Sequence, residues 1–367
     1  MLITEVRAWT LNLPLEREIY IGNLRIRERD YVFVEIETDN GLKGHGFGFA
    51  RGGNVSDCVT ANLRPLLVGQ DATLTEKLWE EMYLQTRYLG RKGMMMRAIS
   101  AVDIALWDLK GQKTGLPLWK LLGGMSRKVP AYAAGGYYRE GEGLRELREE
   151  YARYRDAGFR GVKMKVGAAS FAEDLKRIET ARETIGRDIR LMVDFNGVLV
   201  SSKQALRMAE ELKPYEIYFI EEPFLMDNLE AMREFRAASS IPVAIGEDES
   251  GRWAFKELLA QKTLDILRHD ATLVGGISEW IKVGHLGLAH QIPLYPHWFP
   301  EVHIHLAAAM PGCLGVEIIP PETGIMNFHK LVLQPVAQKD GYALAPEEPG
   351  LGIRWDWGAI EAAKQKG

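Results

Sequence analysis

The run IRLMVDF at residues 189–195 decides the fold. It is a short apolar stretch closed by a carboxylate, with amphipathic sequence on either side, and it belongs to a series. Upstream lie VPAYAA (129–134) and GVKMKV (161–166); downstream come IYFIEEP (217–223), IPVAIGE (241–247), LDILRHD (264–270), IPLYPH (292–297) and LGVEII (314–319). Apolar runs alternating with helical segments describe βα units and a parallel sheet. Eight of them in about 190 residues predict an α/β fold closed into a TIM (β/α) barrel rather than an open sheet.

The ends of these runs carry the chemistry. Lys163 and Lys165, Asp194, Glu221, Glu247, Asp270, His297 and Glu317 follow one another from run to run at separations of 20 to 29 residues, the length of one βα unit. Singly, each has a plainer reading: a Lys-x-Lys as a solvated strand edge, a carboxylate as the N-cap of the next helix, a histidine satisfied in the core. Jointly they predict one pocket, because the C-terminal ends of barrel strands share one face.

Three carboxylates from adjacent strands, Asp194, Glu221 and Glu247, would repel one another in a buried place without a cation. An all-oxygen ligand set favours a hard divalent ion, Mg²⁺, with positions left open for substrate oxygens. Lys163 and Lys165, two apart on one strand, face the same side. One can neutralise a substrate carboxylate and the other can act as a base, provided nearby cations lower its pKa. Asp270 can hold the His297 imidazole in one tautomer. Bases arriving from two sides can address both faces of one substrate carbon.

The first 125 residues read as an α+β capping domain. YVFVEIETDNGLKGHGFGFA (31–50) alternates with period two across Asn40-Gly41, a hairpin signal, and MLITEVRAWT reads as another strand. Helical spacing spans 57–90 and 94–114, with Ala98, Val102, Ala105, Leu106 and Leu109 on one face of the second segment. The predicted division is 1–125 for the cap and 126–339 for the barrel. The segment from about 340 to 367 packs back on the cap and ends in a helix near Ala359 to Gln365.

Composition excludes several function classes. The 46 Lys+Arg against 50 Asp+Glu leave a net charge of −4 and no basic block to track a phosphate backbone, so nucleic acid is not an expected partner. Cys58 and Cys313 are too few and too far apart for a disulfide framework, which fits a reducing cytoplasm. No stretch reads as a secretory leader or a membrane span.

These motifs resemble the enolase superfamily and, within it, the mandelate racemase subgroup. AISAVDIALWDLKGQKTGLPLWKLLGG is similar to the capping-domain helix pair, and VKMKVG, DFNG, IEEP, GED, HDATLVGGISE, PHWFPEVHIHLAAA and PGLG are similar to the barrel motifs. The resemblance implies a modified barrel, Mg²⁺ on Asp194, Glu221 and Glu247, and abstraction of a proton alpha to a carboxylate through an ene-diolate, chemistry for which this superfamily is itself a standard example. It gives Lys163 the substrate carboxylate, Lys165 and His297 (oriented by Asp270) the acid/base roles, and Glu317 a hydrogen bond to the ene-diolate. Asn196 is implied as a second-layer or substrate contact. Cap loops around 16–30 and 46–54 resemble those that close over substrate, which makes Arg17, Tyr20, Arg25, Arg27, Arg51 and, beside His297, Trp298 substrate-binding candidates, although Arg25 and Arg27 read equally well as solvated edge charges. The glycine-rich GHGFGFARGG suits a mobile lid.

The implied activity is dehydration of an acid sugar, an aldonate or aldarate, to a 2-keto-3-deoxy acid, with racemisation or epimerisation of a hydroxy acid as the alternative. A non-catalytic sugar-acid binding protein is the reading from another class. Cycloisomerase relatives generally carry a lysine on the sixth strand, where this chain has Asp270. The implied partner is a small carboxylate, and the implied assembly is a homo-oligomer. The chain departs from the subgroup at Asp248, where asparagine is common, and at His269, where proline is frequent. His303 and His305 read as packing or solvent-facing residues.

Overall fold

The structure is a computed structural model that describes residues 1–21 and 24–364. Three antiparallel strands, β1 (Ile3–Ile21), β2 (Leu24–Thr38) and β3 (Lys43–Phe49), form the cap sheet in that order. The turn between β2 and β3 runs through Gly41 at φ 81°, as the Asn-Gly signal predicts.

Period-two alternation resolves into two buried faces. Val32, Val34 and Ile36 face the cap helices, while Tyr31, Phe33, Phe47 and Phe49 belong to the core shared with the barrel. On β3 the helix-facing positions are glycines, and the reason is steric. A Cβ on Gly46 would lie 1.8 Å from the Ala101 carbonyl oxygen, and one on Gly44 would lie 2.3 Å from that of Ala105. Residues 44–49 are therefore a strand laid directly on the helix Met94–Thr114, not the mobile lid expected of them. That helix buries Ala98, Val102, Ala105, Leu106 and Leu109 completely.

The predicted helical stretch 57–90 is broken. Helical backbone spans 55–67 and resumes at Thr75–Thr86. Between them Gly69 takes φ 83°, the Ile3 N–H donates to the Gln70 carbonyl, and the Gly69 N–H donates to that of Ile3. The edge of β1 takes the backbone groups a continuous helix would have used. Two-residue pairing also fails between β1 and β2, because the register jumps from Pro14 opposite Glu28 to Ile19 opposite Ile26. This bulge shifts the parity of β2, so that Ile26 and Arg29 are both buried while Arg25 and Arg27 stay exposed.

The barrel strands are β4 (Lys128–Gly135), β5 (Gly161–Lys165), β6 (Arg190–Asp194), β7 (Ile217–Glu221), β8 (Val243–Ile245), β9 (Ile266–Leu267) and β10 (Val316–Ile318). They pair in parallel from β4 through β9, and β10 closes the ring on β4. The seventh position, predicted at IPLYPH, is reduced to Leu294, bridged to Leu267 on one side and Cys313 on the other. Two short strands, β11 (Gln338–Lys339) and β12 (Tyr342–Leu344), then add antiparallel to β4. The tail from 340 thus first extends the barrel. Only afterwards does it cross to the cap, where the Leu351 N–H meets Asp108, Trp355 packs edge-on to Phe33, and the helix Trp357–Ala363 lies by β1. Part of the predicted terminal helix, Gln365, lies outside the described residues. Cys58 and Cys313 are free thiols. Among the described residues no helix is long and apolar enough to cross a membrane.

Candidate active site

Asp194 ends β6, Glu221 ends β7 and Glu247 lies two residues past β8, so successive strands present three buried carboxylates with ligand atoms within 4.8 Å of one another. Burial raises the Glu221 carboxyl to about 8 and raises Glu247 as well, and the neighbouring carboxylates push the same way. Glu221 Oε2 and Glu247 Oε2 have no hydrogen-bond partner. Orphaned, mutually repelling oxygens fit a hard divalent cation.

Lys163 and Lys165 project into this cluster from β5. Lys163 Nζ lies 2.8 Å from Glu221, 2.9 Å from Glu317 and 3.2 Å from Asp194; Lys165 Nζ lies 2.5 Å from Asp194. Burial opposes ionisation of Asp194, but the two lysines prevail and hold it at about 2. The expected lowering of the Lys165 pKa is not what these side chains produce. Burial, the largest single influence, pulls it down, but Asp194 together with Tyr137 and Glu247 outweighs it, so the pKa is raised.

Sequence reading missed Arg268, the residue before His269 on the sixth strand. Fully buried, it lies 2.9 Å from Glu221 Oε1 through Nε and 2.7 Å from Glu317 Oε2 through Nη2, and Nη1 donates to the Tyr132 hydroxyl at 2.7 Å. The Nε contact is an ion pair without hydrogen-bond alignment. Despite burial, Lys163 and Arg268 hold Glu317 well below the usual carboxylate range. A lone arginine inside an apolar run was the one available signal.

His297 follows the residual seventh strand, and its Nδ1 donates to Asp270 Oδ2 at 2.8 Å. Its Nε2 lies 3.6 Å from Glu247 Oε2, so the free edge of the ring faces the carboxylate cluster. His303 is buried behind the dyad. Its Nε2 accepts the Ala271 N–H at 2.9 Å and its Nδ1 faces the Trp298 carbonyl at 2.6 Å, an arrangement that requires the neutral Nδ1–H tautomer. It therefore braces the residues next to both Asp270 and His297. His305 is equally buried, between the Trp119 N–H and the Leu351 carbonyl. The packing half of the reading for these two is right and the solvent half is not. His269 stacks on Trp280 with ring centroids 4.3 Å apart, a structural role.

A cavity of about 530 Å³ opens over Lys165, Glu247 and His297 and is also lined by Asn196, Asp248 and Arg51. Arg51 at φ 54°, Asn196 at φ 46° and Trp298 at φ 28° hold left-handed backbone around it. Trp298 does not line the cavity; it is buried, stacks on Phe49 and donates its N–H to Glu317. Arg17 lies apart, paired with Glu142 in another cleft. Tyr20 docks the β1–β2 ribbon onto the barrel through its N–H to the Tyr138 carbonyl. Arg25 and Arg27 are exposed partners of Glu18. The arginine that does enter from this ribbon is Arg29, 3% exposed. Period-two reasoning groups it with Arg25 and Arg27, and only the bulge in β1 separates it.

Comparison with known proteins identifies the family. Residues 146–359 match the family "Enolase C-terminal domain-like", and residues 4–123 match "Mandelate racemase / muconate lactonizing enzyme, N-terminal domain". The chain belongs to the enolase superfamily, in its mandelate racemase subgroup. It is 35% identical to an arabinonate dehydratase of Saccharolobus solfataricus over the whole of both chains. To a D-galactarolactone cycloisomerase of Agrobacterium fabrum it is also 35% identical, over 96% of each. A racemase from Streptomyces coelicolor A3(2), solved with bound magnesium, superposes with a TM-score of 0.93 at 32% identity, covering 99% of this chain and 100% of that one. The argument from Asp270 against cycloisomerases therefore does not separate the classes: lyases and isomerases stand at equal identity.

Proposed function

We propose that this protein dehydrates an acid sugar, abstracting the proton alpha to its carboxylate and expelling the β-hydroxyl to leave a 2-keto-3-deoxy acid. The observation that carries the reading is the pair of proton carriers flanking one carboxylate cluster, Lys165 at Asp194 and the Asp270-held His297 at Glu247.

Asp194, Glu221 and Glu247 would hold Mg²⁺. When bound, the ion supplies positive charge for the substrate carboxylate and neutralises the carboxylates that restrain Lys165. Lys163 adds a fixed charge on the other side and stabilises the negative charge that develops on the carboxyl oxygens. One carrier takes the α-proton; the β C–O bond breaks, and the leaving hydroxide departs as water with a proton from the other. The resulting enol tautomerises to the ketone. Asp270 supports His297 when it carries the proton. Arg268 orients Glu317 and Glu221, so their oxygens stay aimed at the reacting centre.

The full-length likeness to an arabinonate dehydratase supports dehydration. Racemisation or epimerisation is the second reading, favoured by the placement of carriers on two sides. The test is a screen of mono- and diacid sugars with Mg²⁺ that follows keto-acid formation and optical rotation separately. Keto-acid formation is the expected signal; rotation without keto acid favours epimerisation. If neither signal appears, and His297→Asn and Lys165→Ala leave ligand binding unchanged, the protein is a binder and the proposal fails.

A further inference from the structure

Arg29 is a buried charge without a carboxylate partner among the described residues. Its guanidinium is buried at the cavity wall, and Nε and Nη2 have no hydrogen-bond partner among the described residues. A buried, unpaired guanidinium is costly, and proteins keep one chiefly where something else completes it. Burial pulls its pKa down, and Arg51 repels it in the same direction.

Two further arginines gather around the same ring. The guanidinium of Arg51 lies 4.5 Å from the centre of Phe49 and that of Arg29 lies 5.8 Å from it, while Arg97 donates to the Phe49 carbonyl at 3.3 Å. Among the described residues none of the three has a carboxylate within ion-pair distance. The nearby carboxylates are otherwise placed. Asp30 accepts the Gly52 N–H at 2.5 Å, and Asp248 is exposed on the cavity rim. Phe49 in turn stacks on Trp298, the neighbour of His297. The positive cluster is thus built onto the cap and fixed against the catalytic strand end.

We infer that Arg29 and Arg51 receive a second carboxylate at the far end of the substrate, so that the preferred acid sugar is a dicarboxylate, an aldarate, rather than an aldonate. This rests on the acid-sugar reading above for what the other end of the cavity binds. The cavity then has two anion-attracting ends, Lys165 and the metal site on the barrel and the arginines on the cap, and 530 Å³ falls in the usual range for a small-ligand site. A guanidinium fork matches a planar carboxylate with two parallel hydrogen bonds, which supplies the missing acceptors for Arg29.

The test separates binding from chemistry. In a Lys165→Ala/His297→Asn background with Mg²⁺, titration calorimetry compares a six-carbon aldonate, the aldarate of the same configuration and the 6-phosphoaldonate. The aldarate is expected to bind about tenfold or more tighter than the aldonate. Arg29→Met should erase that preference and raise the melting temperature of the unliganded protein, because it removes an uncompensated buried charge. A merely structural arginine would lower the melting temperature and leave the preference intact, which overturns the proposal. Arg51→Gln, at an exposed position, should weaken the preference even where Arg29→Met does not fold. Equal binding of aldonate and aldarate, or tightest binding of the phosphoaldonate, also overturns it. If the wild type dehydrates aldonates and ignores aldarates, this assignment fails and the proposed function stands. If aldarates bind preferentially but no acid exchanges its α-proton, the proposed function fails and the arginine site stands.

Discussion

Asp270 divides its two oxygens between an imidazole and a helix end: Oδ2 takes the His297 Nδ1–H at 2.8 Å while Oδ1 takes the Thr272 N–H at 2.7 Å, capping the helix Ala271–Val274. One carboxylate therefore caps a helix and holds the His297 ring at the same time. The cap locks the carboxylate rotamer, and the locked carboxylate locks the imidazole.

Asp270→Asn should separate these roles. The amide oxygen still accepts the Thr272 N–H, so the melting temperature should change little. The amide nitrogen cannot accept from His297 Nδ1, and kcat should fall by about 10²–10⁴-fold. Steady-state turnover beside a thermal melt checks both halves.

Lys165 and His297 should be separable by isotope exchange. In D₂O with Mg²⁺, one of Lys165→Ala and His297→Asn should retain α-proton exchange on the productive acid while the other loses it. In the proposed mechanism each carrier reaches one face of the carbon, so only removal of the one that abstracts the proton abolishes exchange. Proton NMR of recovered substrate reads the result, and equal loss in both variants would count against the two-sided arrangement.

Metal binding should release a proton. Without the ion, burial beside Asp194 and Glu247 places the Glu221 carboxyl at about 8, so below that pH a proton competes for the site. Mg²⁺ affinity should fall as pH is lowered through 8 toward 6, and calorimetry in two buffers of different ionisation enthalpy should show proton release. Chelation should abolish turnover and Mg²⁺ should restore it. Saturating metal at a hundredfold Kd should add about 2.7 kcal/mol of stability.

Asp103 joins the cap to the barrel, accepting the Ser278 N–H at 2.9 Å and its hydroxyl at 2.7 Å. Burial raises its carboxyl from 3.8 to about 7, so the folded state holds a proton that the unfolded chain has already released between those values. Its contribution is fully present below about pH 4, is lost as pH rises to about 7, and is flat above. Relative to Asp103→Asn, the wild type should therefore lose up to about 4 kcal/mol across that window. Denaturant melts at pH 4, 5, 6, 7 and 8 measure the difference.

Gly46→Ala should destabilise the cap by about 3 kcal/mol or more, because the added carbon meets backbone of the helix Met94–Thr114, which cannot yield as a side chain can. Gly41→Ala, where a Cβ meets open space and only the positive φ is at stake, should cost about 1 kcal/mol. A larger loss at 41 than at 46 would contradict the packing described for β3.

The barrel and its polar residues were legible in the chain because a βα unit has a nearly constant length. Lys163, Lys165, Asp194, Glu221, Glu247, Asp270, His297 and Glu317 recur at that interval, and strand ends in a closed parallel barrel share one face. What periodicity does not carry is any interaction that depends on a break in it, or on contact between distant segments. Arg29 keeps the inward parity of Tyr31 and Phe33, and the bulge in β1 turns Arg25 and Arg27 away from it. Arg268 looks like one more residue of an apolar run until Glu221 and Glu317 close on it. The glycines of β3 read both as a hairpin strand and as a mobile lid until the helix that lies on them settles it as a strand. Residue spacing alone was enough to gather most of the polar groups at the barrel mouth and to call for a cation among the carboxylates. Which cap residues face that mouth came from the packed fold, because local pattern says which way a side chain alternates and not which neighbour is waiting for it.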